Sequence, residues 1–563
     1  MRSLIFNKVK KIKLIQSIII FNFLLLVGVF GIVIQVEANP QICGQIGGST
    51  CRTLNNNDIW VLVGDSITSP HLYTDYLEAY YQLRYPTLHL HFRNEGRSGG
   101  NFTELATDSN THNHCRYDRH VEPWSPDFVS ILDGDNEGYV EQSIFANRLN
   151  TFIDDYIVGK SNAMPILFGP TPTYHSGGSL CGDPKSILED YANEIVSQGQ
   201  NRNMPYAKIW GEINTVFSTE FNKATPIPVI NSDCTHPTPA GHLVVVESIL
   251  HQIGAEQEVS SATINANTLT HSDIDCAISQ ISGDHTGITF DRLDNRLPMM
   301  WDDDATPGVE ISHILDYNKY MLKITGLDSG QYYIKVNGVV SATVTATELQ
   351  DGYNLTKMSS GPIYDKLINV LAKIRIKEGR DISFPHDSVQ PWQGVRKFQS
   401  NADYQYSDQG LRGQDLKNAL SSVIAEVNNY DNDIYIAATP EVWHFAIESA
   451  DEGATCDSSH LNLCSDQSSC QGVGGNWCSG VCQSASCSTE IRADVDQNSS
   501  INSTDAMLTL RNSLGLDMSS TNWVTGIHTG DVNCDDITNS TDAMLILRKS
   551  LGLDMSGTGW CAE

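Results

Sequence analysis

Short apolar runs recur along the first half of the chain: Ile59 to Val63, Phe128 to Leu132, Met164 to Phe168 and Ala207 to Ile209, each separated from the next by an amphipathic stretch. That spacing predicts alternating strands and helices from about Asn39 to Gly254, an α/β signature. From Val259 to about Asn267 the residues turn small and polar, which marks a domain boundary.

Beyond it the pattern predicts a mixed module to about Glu448. Tyr320 to Thr325, Gln331 to Val336 and Ser341 to Thr347 alternate as strands, and Asn337-Gly338 is a hairpin signal because both residues tolerate positive φ. Ile363, Leu367, Val370, Leu371 and Ile374 fall on one face of a helix; Leu416, Leu420, Val423 and Val427 form a second helical stripe. Cys456 to Cys487 has little to bury except its six cysteines and reads as a disulfide-stapled knob or spacer. The last stretch repeats: Ser503-Thr504-Asp505-Ala506-Met507-Leu508 returns as Ser540-Thr541-Asp542-Ala543-Met544-Leu545, which defines one domain of two related halves.

The resulting division is 1–38, 39–260, 261–450, 451–490 and 491–563. The first segment has basic residues ahead of an apolar run from Leu14 to about Ile34, then Val36-Glu37-Ala38. It reads as a signal peptide cut after Ala38, or as an uncleaved anchor, since the apolar run is long. Only in the latter case is a membrane a partner. The expected location is secreted, extracellular or at the cell surface. Fourteen cysteines fit that address, because after an export signal they read as disulfides. Their even numbers by region (Cys43 and Cys51; Cys115, Cys181, Cys234 and Cys276; six in the knob; Cys534 and Cys561) allow pairing within each module. A formal charge of -31 with no basic stripe excludes nucleic acid as a partner and favours cations.

Candidate chemistry begins at Gly64-Asp65-Ser66, after the first apolar run. A tight turn there would present Ser66 at the carboxyl edge of the sheet, where α/β folds place ligands. A serine hydroxyl needs a base, and Asp233-Cys234-Thr235-His236-Pro237 supplies a histidine with a carboxylate three residues before it. Asn94 to Gly99 and Gly134-Asp135-Asn136-Glu137 are candidate oxyanion stretches. His112, His114 and His120 beside Cys115 show no distinctive ligand spacing and read as a polar surface loop.

These four stretches, in this order, resemble the four sequence blocks of the SGNH/GDSL hydrolases. The resemblance implies a three-layer, flavodoxin-like α/β domain with Ser66 as nucleophile and the Asp233/His236 pair as its base. It also implies oxyanion donors from the Ser66 and Gly99 backbone amides and the Asn136 side chain, and no cofactor for catalysis. Asp133 and Glu137 depart from the family pattern, which has an apolar residue and an aspartate there. Phe290-Asp291-Arg292-Leu293-Asp294, Leu297-Pro298-Met299 and Leu322 to Leu327 resemble an extension of large members, here a mixed α+β one.

In the repeats, Asp494, Asp496, Asn498, Asn502 and Asp505, with the Ser500 carbonyl, stand at intervals that can wrap a hard cation such as Ca²⁺. Asp531, Asn533, Asp535, Asn539 and Asp542, with the Ile537 carbonyl, repeat the set. A loop plus one following helix, duplicated, resembles a dockerin, a small all-α module that docks enzymes onto cohesin domains. The resemblance implies two structural Ca²⁺ and a partner face at Ser503, Thr504, Leu510, Arg511, Ser540, Thr541, Leu547 and Arg548. The expected whole is an exported serine esterase, acting on a carbohydrate (acetyl) ester and docked to a polysaccharide-degrading or cell-surface complex. A lipase or lysophospholipase would use the same triad, and a non-catalytic adhesion or scaffold component is the alternative from another class.

Overall fold

The computed structural model describes residues 39–44, 51–106, 116–177, 180–379, 392–450, 476–478 and 481–483. In the C-terminal stretch it describes 493–496, 500–514, 516, 518, 521, 523, 530–533, 537–556 and 558–561. The N-terminal signal or anchor segment, Cys115 with its neighbours His112 and His114, Asn498, Asp535 and nearly all of the cysteine-rich knob lie outside the described residues. No helix among the described residues is long and apolar enough to cross a membrane.

The chain forms two compact units, and the first is discontinuous in sequence. It comprises residues up to Val259 together with Pro298–Asn318 and Trp392–Thr439. Its centre is a five-stranded parallel sheet of β1 (Ile59–Gly64), β2 (His91–Asn94), β3 (Phe128–Leu132), β4 (Met164–Phe168) and β5 (Tyr206–Ala207), in the spatial order β2-β1-β3-β4-β5. Strands buried on both faces read as continuous apolar runs, which is why Trp60 to Val63 and Phe128 to Leu132 were legible. Helices α1 (Leu72–Arg84), α2 (Gln142–Thr151), α3 (Ser186–Arg202), α4 (Trp210–Phe221) and α5 (Pro239–Gln252) separate or follow the strands. Chain order reverses between β1 and β3, so the crevice beyond their carboxyl ends is the topological switch point where such sheets bind ligands.

Two helices from far downstream complete this unit: α6 (Gly394–Asp403) and α7 (Gly413–Ala438). Val395 and Phe398 of α6, and Leu416, Leu420, Val423 and Val427 of α7, share one apolar cluster with Val61, Val129, Trp124 and Phe152. The α7 stripe was read correctly as helical, but it packs with the hydrolase sheet and not with the mixed module in which sequence position placed it. Periodicity identifies an apolar face; it does not say what covers it.

Among the described residues the second unit contains a short hairpin of Asn476–Cys478 with Val481–Gln483 and two larger sheets, one of four strands and one of five antiparallel strands. One has β6 (Glu258–Asn265), β7 (Thr270–Ile274), β10 (Lys319–Thr325) and β13 (Tyr353–Asn354) in the order β7-β6-β10-β13. The other has β8 (Cys276–Asp284), β9 (Gly287–Asp294), β11 (Gln331–Val336), β12 (Val339–Thr345) and β14 (Val442–Ala450) in the order β8-β9-β14-β11-β12. The small polar stretch expected as a boundary is largely strand β6, with Ser260, Ala262 and Ile264 buried at alternating positions. Asn337 (φ 49°) and Gly338 (φ 83°) make the expected hairpin. The strand expected to run to Thr347 stops at Thr345, because Thr345 and Glu348 form a capping box that starts a helix at Ala346.

The Arg292 and Asp294 motif explains itself structurally here. Arg292 Nε lies 2.9 Å from Asp294 Oδ1, and Ser260 Oγ and Tyr320 OH donate to the two Asp294 oxygens, each at 2.6 Å. Cys276, expected among paired cysteines, is a free thiol whose Sγ donates to the Ser261 carbonyl. In the C-terminal stretch α8 (Ser503–Ser513) and α9 (Ser540–Ser550) pack on a small core of Ala493, Ala506, Val532, Leu545 and Ile546. Cys561 is disulfide-bonded.

Candidate active site

The nucleophile turn follows from close backbone approach at the end of β1. A Cβ on Gly64 would lie 2.4 Å from the Leu132 carbonyl oxygen of the neighbouring strand, so only glycine fits. Asp65 then turns inward, and its Oδ1 accepts from the Ile67 amide at 2.9 Å, which leaves Ser66 at the surface of the crevice. Asp65 is 1% exposed, and burial pushes its carboxyl up to about 7 against that hydrogen bond.

His236 arrives on the loop before α5. Its Nε2 lies 2.7 Å from Ser66 Oγ, and its Nδ1 lies 2.6 Å from Asp233 Oδ2. The other Asp233 oxygen accepts from the Thr235 and His236 amides at 2.9 and 3.0 Å, so the loop is closed on its own carboxylate. Partial burial pulls the Asp233 carboxyl up, but the His236 side chain and the two amides outweigh it and hold the group below the usual carboxylate range. Thr238 caps α5 by accepting from the Gly241 amide, with Pro239 at the first helical position. Between the two triad residues, Cys234 is bridged to Cys181 and its carbonyl accepts from the Tyr174 amide. Asp233–His236 is thereby fastened to the hairpin of Tyr174–Gly177 and Leu180–Pro184. In this arrangement the neutral imidazole donates from Nδ1 to Asp233 and accepts the Ser66 proton at Nε2.

The two candidate oxyanion stretches leave β2 and β3 at the same edge. Asn94 Nδ2 donates to the Thr68 carbonyl, Asn94 Oδ1 accepts from the Gly96 amide, and the Arg97 amide donates to the Gly64 carbonyl, so the β2 loop is laced to the nucleophile turn. Gly99 sits at φ 74°, a conformation that favours glycine. Asn136 Nδ2 is buried with no hydrogen-bond partner among the described residues. Such an orphaned donor has a reason to exist where an oxygen arrives during reaction. Gly99 and Asn136 border one cavity of about 510 Å³, and every side chain on its wall is polar, among them Arg97, Asn101, Thr103, Glu104 and Arg148.

The two departures from the family pattern are accommodated by burial. Glu137 Oε1 accepts from the Phe102 amide at 2.5 Å and Oε2 pairs with Arg148 at 2.8 Å, so it ties the β3 loop to the cavity wall. Asp133 is fully buried, with Oδ1 accepting from the Gly134 amide; desolvation, then the Asp65 charge, hold its carboxyl well above the usual range. His120 is not on a polar surface loop as expected: it is 4% exposed, with Nε2 2.9 Å from Asp403 Oδ1 of α6. Burial lowers its pKa to about 4 despite Asp403, so it is neutral. Sequence reasoning missed the whole of α6 as a neighbour of this site.

In the C-terminal stretch, Asp494, Asp496 and Asp505 each bring a carboxylate oxygen to within 4.8 Å of the others. Three like charges so close suit a divalent cation, and all three donors are hard oxygens. Asn502 and Asn539 do a second job: each caps its helix, accepting from the Thr504 or Thr541 amide at 2.7 Å. Their Nδ2 groups donate to the Ser500 and Ile537 carbonyls, which retain a second lone pair for a metal. Asp531 and Asp542 are fully buried, so the second half offers carboxylates as the first does. Ser503, Thr504, Leu510, Ser540, Thr541 and Leu547 are exposed, together with Met507, Leu514, Met544 and Leu551, which the sequence reading had not singled out.

No protein-family model matches the chain. It is 25% identical over 193 residues to an acetylxylan esterase of Geobacillus stearothermophilus, covering 33% of this chain and 81% of that protein. A solved gut microbial diltiazem-metabolizing enzyme superposes with a TM-score of 0.58 at 19% identity, covering 71% of this chain and 99% of that one; the two share a fold. A lipase/acylhydrolase of Enterococcus faecalis overlaps 35% of this chain and 95% of its own, with 17% identity and a TM-score of 0.26. With the similarity to that acetylxylan esterase and the relay of Asp233, His236 and Ser66, the chain is a serine ester hydrolase.

Proposed function

We propose that the chain is an exported carbohydrate esterase that removes acetyl groups from polysaccharide and is held in a larger assembly by its C-terminal module. The observation that carries the chemistry is the unbroken relay from Asp233 Oδ2 through His236 to Ser66 Oγ, at 2.6 and 2.7 Å. Ser66 Oγ attacks the ester carbonyl carbon while His236 Nε2 takes its proton. The carbonyl oxygen, now negative, receives hydrogen bonds from the Ser66 and Gly99 amides and from Asn136 Nδ2. Collapse of this intermediate breaks the bond to the sugar oxygen, which takes the proton from His236. Water, deprotonated by the same imidazole, then attacks the acyl carbon; the bond to Ser66 Oγ breaks, Oγ takes the proton back from His236, and acetate leaves.

For the substrate, two observations favour a sugar ester over a lipid. The cavity beside Gly99 and Asn136 has only polar side chains on its wall, and a fatty acyl chain would gain nothing by leaving water there. The acetylxylan esterase of Geobacillus stearothermophilus supports the same choice.

For the attachment, the C-terminal repeats support a calcium-loaded dockerin. Asp494, Asp496, Ser500, Asn502 and Asp505 would hold one structural ion, with Asn498; Asp531, Asn533, Ile537, Asn539 and Asp542 would hold the other, with Asp535. The rows on α8 and α9, from Ser503-Thr504 to Leu510-Arg511 and from Ser540-Thr541 to Leu547-Arg548, exposed except for the half-buried Arg511, would meet a cohesin.

Hydrolysis of a short-chain aryl acetate, acetylated xylan, acetylated pectin and a long-chain lipid ester by the purified chain and by Ser66→Ala tests the enzymatic reading. Acetate release from a polysaccharide, abolished in Ser66→Ala, is expected. Preference for the lipid ester, or equal rates for the two proteins, would overturn it.

A further inference from the structure

Helix α6 comes from roughly 300 residues beyond the nucleophile, yet its polar face meets both loops that shape the site. Arg396 Nη2 donates to the Ser69 carbonyl at 2.6 Å and lies 2.5 Å from His71 Nε2, on the turn that carries Ser66. Its Nη1 reaches the Gly96 carbonyl at 3.4 Å, on the loop that carries Gly99. One guanidinium therefore bridges the nucleophile turn and the oxyanion loop. Gln399, three residues on and on the same face, donates to the Asn94 carbonyl at 3.2 Å and to Glu95 Oε2 at 2.7 Å, and its Oε1 accepts from Arg396 Nη1. Glu95 is gripped from the other side by Trp124 Nε1 at 2.8 Å, and the Trp124 ring lies 3.9 Å from that of Phe398 of α6. Asp403, seven residues from Arg396, pairs with Arg119 and His120 and anchors the far end of the helix.

From this geometry we infer that Arg396, braced by Gln399, is a positioning residue that fixes the distance between Ser66 and the Gly99 amide. The planar fork is what the task needs: it binds acceptors on two separate loops at once, with directions set by its plane. A lysine ammonium can reach one acceptor set but cannot hold two loops in register. His71 contributes because Arg396 can only donate; the imidazole is therefore an acceptor at Nε2 and carries its proton at Nδ1. A shift of the oxyanion donors by about 1 Å lowers the rate by about 100-fold without touching ground-state binding. The inference rests on the esterase reading for its catalytic consequence, while the clamp itself is independent of it.

The test compares the wild-type chain with Arg396→Ala and Arg396→Lys in two measurements. Hydrogen exchange should quicken at least about tenfold in the segments 66–71 and 94–100 of Arg396→Ala, and stay unchanged in β4, as expected when a local restraint and not the fold is lost. With aryl acetate, and with rates normalised to the number of sites titrated by an active-site phosphonate, kcat should fall about 100-fold in Arg396→Ala with KM within about twofold. Millimolar guanidinium should restore part of that loss, and Arg396→Lys should retain more activity than Arg396→Ala. Unchanged exchange in both loops overturns the clamp, as does a loss of activity that guanidinium does not relieve. Wild-type protein without hydrolysis, but with the exchange response intact, would instead overturn the esterase reading and leave the clamp standing.

Discussion

His236 holds Nε2 2.7 Å from Ser66 Oγ across 170 residues of chain. The distance is that of a formed hydrogen bond, and the base is fixed by a carboxylate at 2.6 Å on its other nitrogen. The site is therefore assembled before substrate arrives.

Since Asn136 Nδ2 is a buried donor without a partner among the described residues, Asn136→Ala should cost little stability and much rate. We expect kcat to drop on the order of 10² to 10³-fold, with KM changing far less. Steady-state kinetics on a short-chain acetate decide this; a change confined to KM would remove Asn136 from the oxyanion site.

The Asp65 carboxyl, pushed up to about 7 by burial from an ordinary 3.8, makes stability depend on pH. The folded state holds this proton more tightly than the unfolded chain, so the contribution is complete below about pH 4. It is lost as pH rises through 7. Asp133, raised in the same direction by burial and by Asp65, adds to the slope. Asp65→Asn keeps an acceptor for the Ile67 amide without the charge. Its melting temperature should match wild type near pH 4 and exceed it by about 5 °C near pH 8. A gap that does not vary with pH would refute the account.

Cys181–Cys234 spans 53 residues and sits between Asp233 and His236 in the catalytic loop. Closing a loop of that length restricts the unfolded chain by about 4 kcal/mol at 25 °C. Reduction, or the Cys181→Ser/Cys234→Ser double variant, should lower both unfolding stability and kcat. Urea titration with parallel kinetics separates the two effects, and full activity in the folded double variant would show that the hairpin does not hold the triad.

Calcium should matter to the C-terminal module and not to the ester chemistry, because the Asp494, Asp496 and Asp505 carboxylates repel one another without a cation. Calorimetry on the full chain should give two ions, reduced to one by Asp505→Ala. Chelation should expose residues 491–563 to protease while aryl acetate hydrolysis is retained. Parallel loss of hydrolysis would contradict the separation.

The sequence by itself determined those parts of the protein that depend on local order. Buried parallel strands must be apolar throughout, so β1, β3 and β4 were legible, and Gly64-Asp65-Ser66 and Asp233 to His236 carry their geometry within a few residues. The duplicated spacing of carboxylates in the C-terminal repeats was legible for the same reason. Only the tertiary structure decided what the apolar faces of α6 and α7 cover, since a helical stripe is the same whichever core it joins. That choice removed His120 from the surface and brought Arg396 to the carbonyls of Ser69 and Gly96. Contacts between residues 300 apart leave no periodic trace along the chain; they arise from the free energy of burying one surface against another.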